Sequence, residues 1–331
     1  MYYKNLLRFR QAWMGLALLW IILFHLPIDL GILDYPRAFG YGGVDICFFA
    51  SGIGCFYSLS TDSDIGNFMK RRLKRLLPTY LVFILIWLLY QYVAGDFTLQ
   101  MAIGNLLALQ HFTGLGSEFN WYISALLLFY LLAPYFAVII QRASSGQKLL
   151  FLLFLILCSV PFWGAEEFII TVSRLPIFYM GMVFADLCKK DLRISRMHIL
   201  GLIAAFVLGL VFLVTTYFLF PAYLWSHGLH WYPFILITPP LCIGISWVLT
   251  LLERAKGMKP FLSFFYLCGS YSFELYLLHI LLISCISGVI SAFDLSRFRY
   301  PIWAAGGVAL FAGCYLLRRC AVLVSGLFLK S

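Results

Sequence analysis

Charge is what this sequence has least of. Asp, Glu, Lys and Arg together make up 11% of its 331 residues, while 63% are hydrophobic and 18% aromatic. A soluble domain carries about a quarter of its residues as charges, so this composition excludes one and points to a polytopic membrane protein. Linkers are missing too. With no low-complexity stretch and no internal repeat, the chain reads as a single integral membrane domain over 1–331 without an appended soluble domain. Nor is there a disulfide framework or a zinc set. All nine cysteines, Cys47, Cys158, Cys242 and Cys314 among them, fall in or at the ends of apolar runs, and none lies in an expected outer loop. No bound metal is expected.

What is present is a series of apolar runs long enough to cross ~30 Å of hydrocarbon. They fall near 12–28, 42–59, 78–95, 120–141, 148–164, 167–188, 198–220, 230–252, 268–290 and 301–328, which predicts an all-α fold of ten transmembrane helices. The apolar piece from Thr98 to His111 would rise only about 21 Å as a helix, so it is expected to be interfacial or re-entrant. The first run follows Lys4, Arg8 and Arg10, as a signal peptide would. It is long, however, and no small-x-small cleavage site precedes Asp29, so it is expected to remain as an anchor.

The basic residues orient the chain, because short cytoplasmic loops hold the excess of Lys and Arg. With the N-terminus inside, the clusters at Lys4–Arg10, Lys70–Arg75, Lys189–Arg196, Arg254–Lys259 and Arg318–Arg319 all fall on the inner side. The outer side keeps Arg37, Arg297 and Arg299, and Arg174 lies within a span. Both termini are therefore expected in the cytoplasm. The net charge of +10 follows from this asymmetry, so it does not argue for nucleic acid.

Ionisable groups inside spans are costly and mark function by default. Counted at about 1.5 Å per residue, His25 near the end of the first span and Asp45 near the start of the second both lie about 5 Å below the outer boundary. A hairpin makes them neighbours, so Asp45 is expected to orient the His25 imidazole. Arg174 lies deeper on the same outer half, and Glu118, Asn120 and Trp121 stand where the fourth span begins. Together they offer a base, an acid, a guanidinium and amide donors to one region. On the inner side, KRRLKRLLPTY from Lys70 is either a topological anchor that contacts lipid headgroups or a polyphosphate site. In the second reading, adjacent Arg71 and Arg72 supply fork-shaped donors.

GSYSFELYLLHI from Gly269 opens the ninth span and adds Ser270 and Tyr271 on the inner side. At about 100° per residue, Ser272, Tyr276 and His279 share a face while Glu274 points elsewhere, toward a neighbouring helix or a cation. The outer segment PAYLWSHGLHWYP from Pro221 presents Trp225, Trp231, Tyr223, Tyr232, His227 and His230. These rings suit an interfacial aromatic belt, and they also suit stacking on sugars.

The histidine ending the first span, GGVDICFFASG from Gly42, FMKRRLKRLLPTYL from Phe68, NWYISALLLFYLLAP from Asn120, SRLPIFYMGM from Ser173 and SYSFELYLLHI from Ser270 occur in the order seen in the membrane acyltransferase-3 family. The resemblance spans most of the chain. It implies an enzyme of the cell membrane, of the bacterial cytoplasmic type. Such an enzyme moves an acyl group, usually acetyl, from cytoplasmic acyl-CoA to a hydroxyl of an extracytoplasmic or lipid-linked glycan. Acetyl-CoA would be a co-substrate, with no permanently bound cofactor.

By the same resemblance His25 is the essential histidine, Arg71 and Arg72 grip the coenzyme, and Arg174 is the later arginine before Leu-Pro. The sequence departs from the family at Met14, where members usually carry an arginine. Arg10, a turn lower on nearly the same face, is the expected substitute. Chemically, neutral His25 would take the acceptor's proton as it attacks the thioester, with an acyl-histidine as the variant route. Arg174 or Asn120 would stabilise the oxyanion. Ser270 and Tyr271 are placed with the donor, and Glu118, Asn120, Trp121, Trp225 and Trp231 with the acceptor. The competing reading is a glycolipid or polysaccharide-precursor flippase, which ten helices with intramembrane charges and a short discontinuous segment also suit.

Overall fold

A backbone solvated by lipid has to satisfy its own hydrogen bonds, and an α-helix does so within one segment. The computed structural model describes residues 3–113 and 121–328. Among these residues 10 helices are long and apolar enough to cross a membrane, and no strand forms. In chain order, apart from the single turn Asp34–Arg37, the α-helices are α1 (Arg10–His25), α2 (Gly43–Thr61), α3 (Ile65–Ala94), the short α4 (Leu99–Leu106) and α5 (Gln110–Thr113), α6 (Trp121–Arg142) and α7 (Ser145–Leu157). They continue with α8 (Glu166–Val172), α9 (Leu175–Lys189), α10 (Arg196–Leu219), α11 (Tyr232–Arg254), α12 (Lys259–Ser270), α13 (Ser272–Ala292) and α14 (Arg299–Phe328). The expected count of ten spans therefore holds, and an even number of crossings brings both ends to the same side.

Local chemistry sets the boundaries that matter. α1 stops at His25 because Pro27 follows Leu26, and the residue before a proline is pushed out of the helical region; Leu26 has ψ 124°. α3 starts at Ile65, well before the apolar run near 78, because Asp64 caps it by accepting the Asn67 N–H at 2.6 Å. Its 30 residues rise about 45 Å, more than the ~30 Å of hydrocarbon. The basic stretch is thus part of the helix, with Pro78 inside it. α8 and α9 together make the sixth span, interrupted at Ser173 and Arg174, with Pro176 in the first turn of α9 where a missing N–H costs nothing. The piece expected to be interfacial or re-entrant forms α4 and α5, held to α3 by the Tyr80 hydroxyl donating to the Asn105 carbonyl at 2.6 Å.

Lipid offers no hydrophobic drive for helices to associate, so close packing has to hold the bundle. α2 packs most extensively on α9, and α1 on α12. Both contacts are made by reciprocal glycines. A Cβ on Gly52 would collide with the Phe178 carbonyl oxygen and one on Gly181 with that of Phe49; Gly15 and Gly269 stand in the same relation to Phe265 and Gln11. Gly244, by contrast, has open space beside it.

Gly181→Leu is expected to lower the thermal midpoint of the detergent-solubilised protein, at the 1–3 kcal/mol scale usual for overpacking (roughly) or beyond, whereas Gly244→Leu leaves it unchanged. Orientation is checked separately in intact cells. A cysteine introduced at Lys256 should be shielded from an impermeant thiol reagent and one at His227 should react, above the background of the parent's own cysteines; the reverse pattern would invert the topology.

Candidate active site

α1 carries Arg10 at its first position and His25 at its last, some 22 Å apart along the axis (about 1.5 Å per residue). Each end opens into a cavity. The one at the basic end has a volume of about 270 Å³ and is lined by Arg10, Met14, Arg72, Arg75, Arg318, Ser270, Ser272, Glu274 and Tyr130, among others. Arg10 and Arg72 both reach over Gly54, where a Cβ would lie 2.9 Å from Arg10 Nη1 and 3.6 Å from Arg72 Nη1. Arg72 also donates to the Gly54 carbonyl at 2.5 Å and lies over the Phe68 and Tyr130 rings. No carboxylate among the described residues pairs with Arg10, Arg72 or Arg75. Three gathered cations without a counter-ion among the described residues leave a positive local charge that suits an anion. Arg318 differs, because it forks onto Glu274 with both bonds at 2.8 Å, donates to the Ser270 carbonyl and stacks 3.8 Å from the Tyr271 ring centre. Glu274 therefore meets a cation of a neighbouring helix, as its direction on α13 predicts.

Arg71 does not join this group. Its guanidinium turns outward to Asp62 at 2.6 Å, and that hydrogen bond holds the Asp62 carboxyl below the usual carboxylate range. The expected Arg71–Arg72 pair fails for a helical reason: neighbours are about 100° apart on the helix, whereas residues three apart lie on one face. Arg72 and Arg75 are the pair that α3 presents to the cavity, and that spacing was readable in KRRLKR. Tyr271 likewise stays outside the lining and supports Arg318 instead.

The cavity at the far end has a volume of about 600 Å³, and its walls include His25, His279, Arg174, Trp87, Trp121, Trp225, Trp231, His111, Glu166 and Glu167. Ile21, Val44 and Tyr276 line both cavities, so one set of side chains forms the wall between them. His25 is exposed to the outer cavity, with its ring centre 5.3 Å from that of His279. Trp225 is 48% exposed at the rim, which leaves a ring face open to a ligand, while Trp231 is buried. Glu118 and Asn120 lie outside the described residues. His111, Glu166, Glu167 and Trp87 reach the site without any single-segment signal in the sequence to foretell it.

Arg174 closes the wall of this cavity. Its guanidinium carbon lies 4.7 Å from the Trp121 ring centre and 4.6 Å from that of Trp231, so indole faces hold it, and Nη1 donates to the Ile170 carbonyl at 2.8 Å. Its Nε stands 3.4 Å from Oδ1 of Asp45, and the two side chains are 1% and 0% exposed. Asp45 thus faces Arg174, and neither of its carboxylate oxygens has a hydrogen-bond partner among the described residues. This replaces the expected contact with His25. Val44 turns to the cavities, and the next residue on α2, about 100° further round, turns instead to the start of α9. Burying each ion costs several kcal/mol, offset here by the opposite charge and by indole faces that contribute on the order of 2 kcal/mol each when desolvated.

A model of the family described as "Acyltransferase domain" matches residues 13–319, nearly the whole chain. No curated protein and no solved structure matches the chain.

His230, in the loop before α11, is buried against Trp225 and donates to or accepts from the Tyr41 hydroxyl at 3.2 Å. Burial, with the nearby Arg174 charge, pushes its pKa down to about 4. Between pH 6.5 and about 4 the unfolded chain then binds a proton that the folded chain refuses, so stability falls as pH falls through that window. Thermal midpoints of parent and His230→Gln at pH 7 and pH 5 should show the parent losing more, by a difference on the order of 1–2 kcal/mol.

Proposed function

The chain belongs to the acyltransferase-3 family, and from that premise we propose that it takes an acyl group, most simply acetyl, from acyl-CoA at the basic cavity and places it on a glycan hydroxyl in the outer cavity. The observation that carries this reading is the pairing of an unpaired arginine cluster at one end of α1 with an accessible imidazole at the other, across a shared wall. A coenzyme's phosphates are the anion that Arg10, Arg72 and Arg75 suit. Arg72 and Arg75 supply bidentate donors and Arg10 stands in for the arginine replaced by Met14. Its flexible arm would carry the thioester along α1 past Ile21, Val44 and Tyr276.

In the outer cavity, His25 takes the proton of the acceptor hydroxyl as its oxygen attacks the thioester carbonyl. The C–O bond forms, the C–S bond breaks, and the imidazolium returns its proton to the departing thiolate. Arg174 stabilises the oxyanion, and Asp45 holds that guanidinium in position rather than orienting His25. Trp225, with its exposed face, suits a sugar ring, so the acceptor is a surface polysaccharide or its lipid-linked precursor, reached from outside the bacterial cytoplasmic membrane. A flippase would leave the unpaired arginines without a task, and family membership does not favour it.

Purified protein with radiolabelled acetyl-CoA tests the reading. His25→Ala should lower thioester turnover on the order of 10²-fold or more with donor binding nearly unchanged. Arg72→Ala/Arg75→Ala should weaken donor binding by several kcal/mol, at roughly 1.5–3 kcal/mol per charge-assisted bond, while Arg71→Ala changes it little. Equal binding by parent and the Arg72/Arg75 double variant would reduce these arginines to topological anchors.

A further inference from the structure

With Asp45 turned to Arg174, His25 needs another orienting partner, and a second imidazole stands beside it. His279 is 2% exposed on α13. Its Nδ1 lies 2.6 Å from the Tyr276 carbonyl and 3.2 Å from that of Leu275. Carbonyls only accept, so Nδ1 carries the proton and Nε2 keeps its lone pair. Nε2 is buried with no hydrogen-bond partner among the described residues. Among the described residues the ring that α1 sets against it is His25, with centres 5.3 Å apart and planes tilted by 51°, and two imidazoles hydrogen-bonded edge to edge through their nitrogens have their centres at about this separation. A buried acceptor left unmade is costly, and a donor N–H from His25 would relieve it.

We propose that His279 is the positioning residue for His25: its Nε2 accepts one ring N–H of His25, which leaves the other His25 nitrogen as a lone pair aimed into the cavity. During transfer the acceptor's proton moves to that free nitrogen. The imidazolium so formed keeps its first N–H on His279, and the new proton leaves with the coenzyme thiolate. His279 keeps its own proton on the Tyr276 carbonyl throughout. One carbonyl on α13 thereby sets the tautomer of two rings, the arrangement by which a base is usually held in place.

This rests on His25 acting as the base, so the test has one arm that needs activity and one that does not. In the first, acetyl-CoA turnover and donor binding are compared for parent, His25→Ala, His279→Leu, His279→Gln and His25→Ala/His279→Leu. The expected result is a loss on the order of 10²-fold in turnover for His279→Leu with donor binding kept. His279→Gln, whose amide oxygen can accept at the Nε2 position, should recover at least tenfold of that loss, and the double variant should be no worse than His25→Ala alone. Recovery absent in His279→Gln, or losses that multiply, would overturn the proposal and leave His279 a packing residue.

In the second arm, ¹⁵N-histidine spectra of the folded protein report each of the 6 histidines. The unprotonated nitrogen of His279 should carry the shift of a hydrogen-bonded acceptor in the parent and of a free nitrogen in His25→Ala. No change between the two would overturn the pairing whatever the kinetics. A full coupling in the spectra together with undiminished turnover in His25→Ala would instead overturn the assignment of His25 as base.

Discussion

A guanidinium held by two indoles and set against a carboxylate that has no hydrogen-bond partner among the described residues lies at the point on which the outer half of this bundle depends. Arg174 sits where the sixth span is interrupted, so a single side chain reaches α8 through the Ile170 carbonyl, α6 through Trp121, the loop before α11 through Trp231 and α2 through Asp45. In lipid a buried charge has no water to fall back on, and removing one partner of a buried pair typically costs about 3–5 kcal/mol. The break in the helix is therefore pinned, and it forms one wall of the outer cavity.

The rest of the architecture follows from the need to bring two unlike environments to the ends of one helix. Close glycine contacts pull α2 onto α9 and α1 onto α12, which leaves the void space between α1, α2, α3 and α13 instead of at those seams. Basic side chains from α1 and α3 fill one end of it, and imidazoles from α1 and α13 the other. Ile21, Val44 and Tyr276 separate the two. The proposed transfer keeps a highly charged donor near water while its reacting carbonyl reaches a drier place, and this division of one path into a cationic and an imidazole-lined part suits that demand.

The ten spans, the separate short helical piece after Thr98, the positions of His25 and Arg174 within spans and the direction of Glu274 were all legible in the sequence, because each depends on length, hydropathy or phase along one segment. Arg75 was legible as well, from its three-residue spacing to Arg72, and adjacency in the sequence drew attention to Arg71 instead. Asp45 and His25 are counted to the same depth, and depth along consecutive antiparallel spans is easily counted. What counting cannot supply is rotation about the helix axis: Asp45 turns to α9 while Val44 takes the place beside the cavity.

The sequence by itself determined that this is a polytopic helical membrane protein with intramembrane ionisable groups at one end and a basic cluster at the other, since the cost of putting backbone or charge into hydrocarbon leaves few alternatives. Only the tertiary structure decided which groups meet. The pairing of Arg174 with Asp45, the fork of Arg318 on Glu274 and the contact of the His279 and His25 rings join segments 44 to 254 residues apart in the chain, 129 for the first of them. Each depends on which helix faces which at what rotation, and van der Waals fit between helices sets that, with no periodic mark in the sequence.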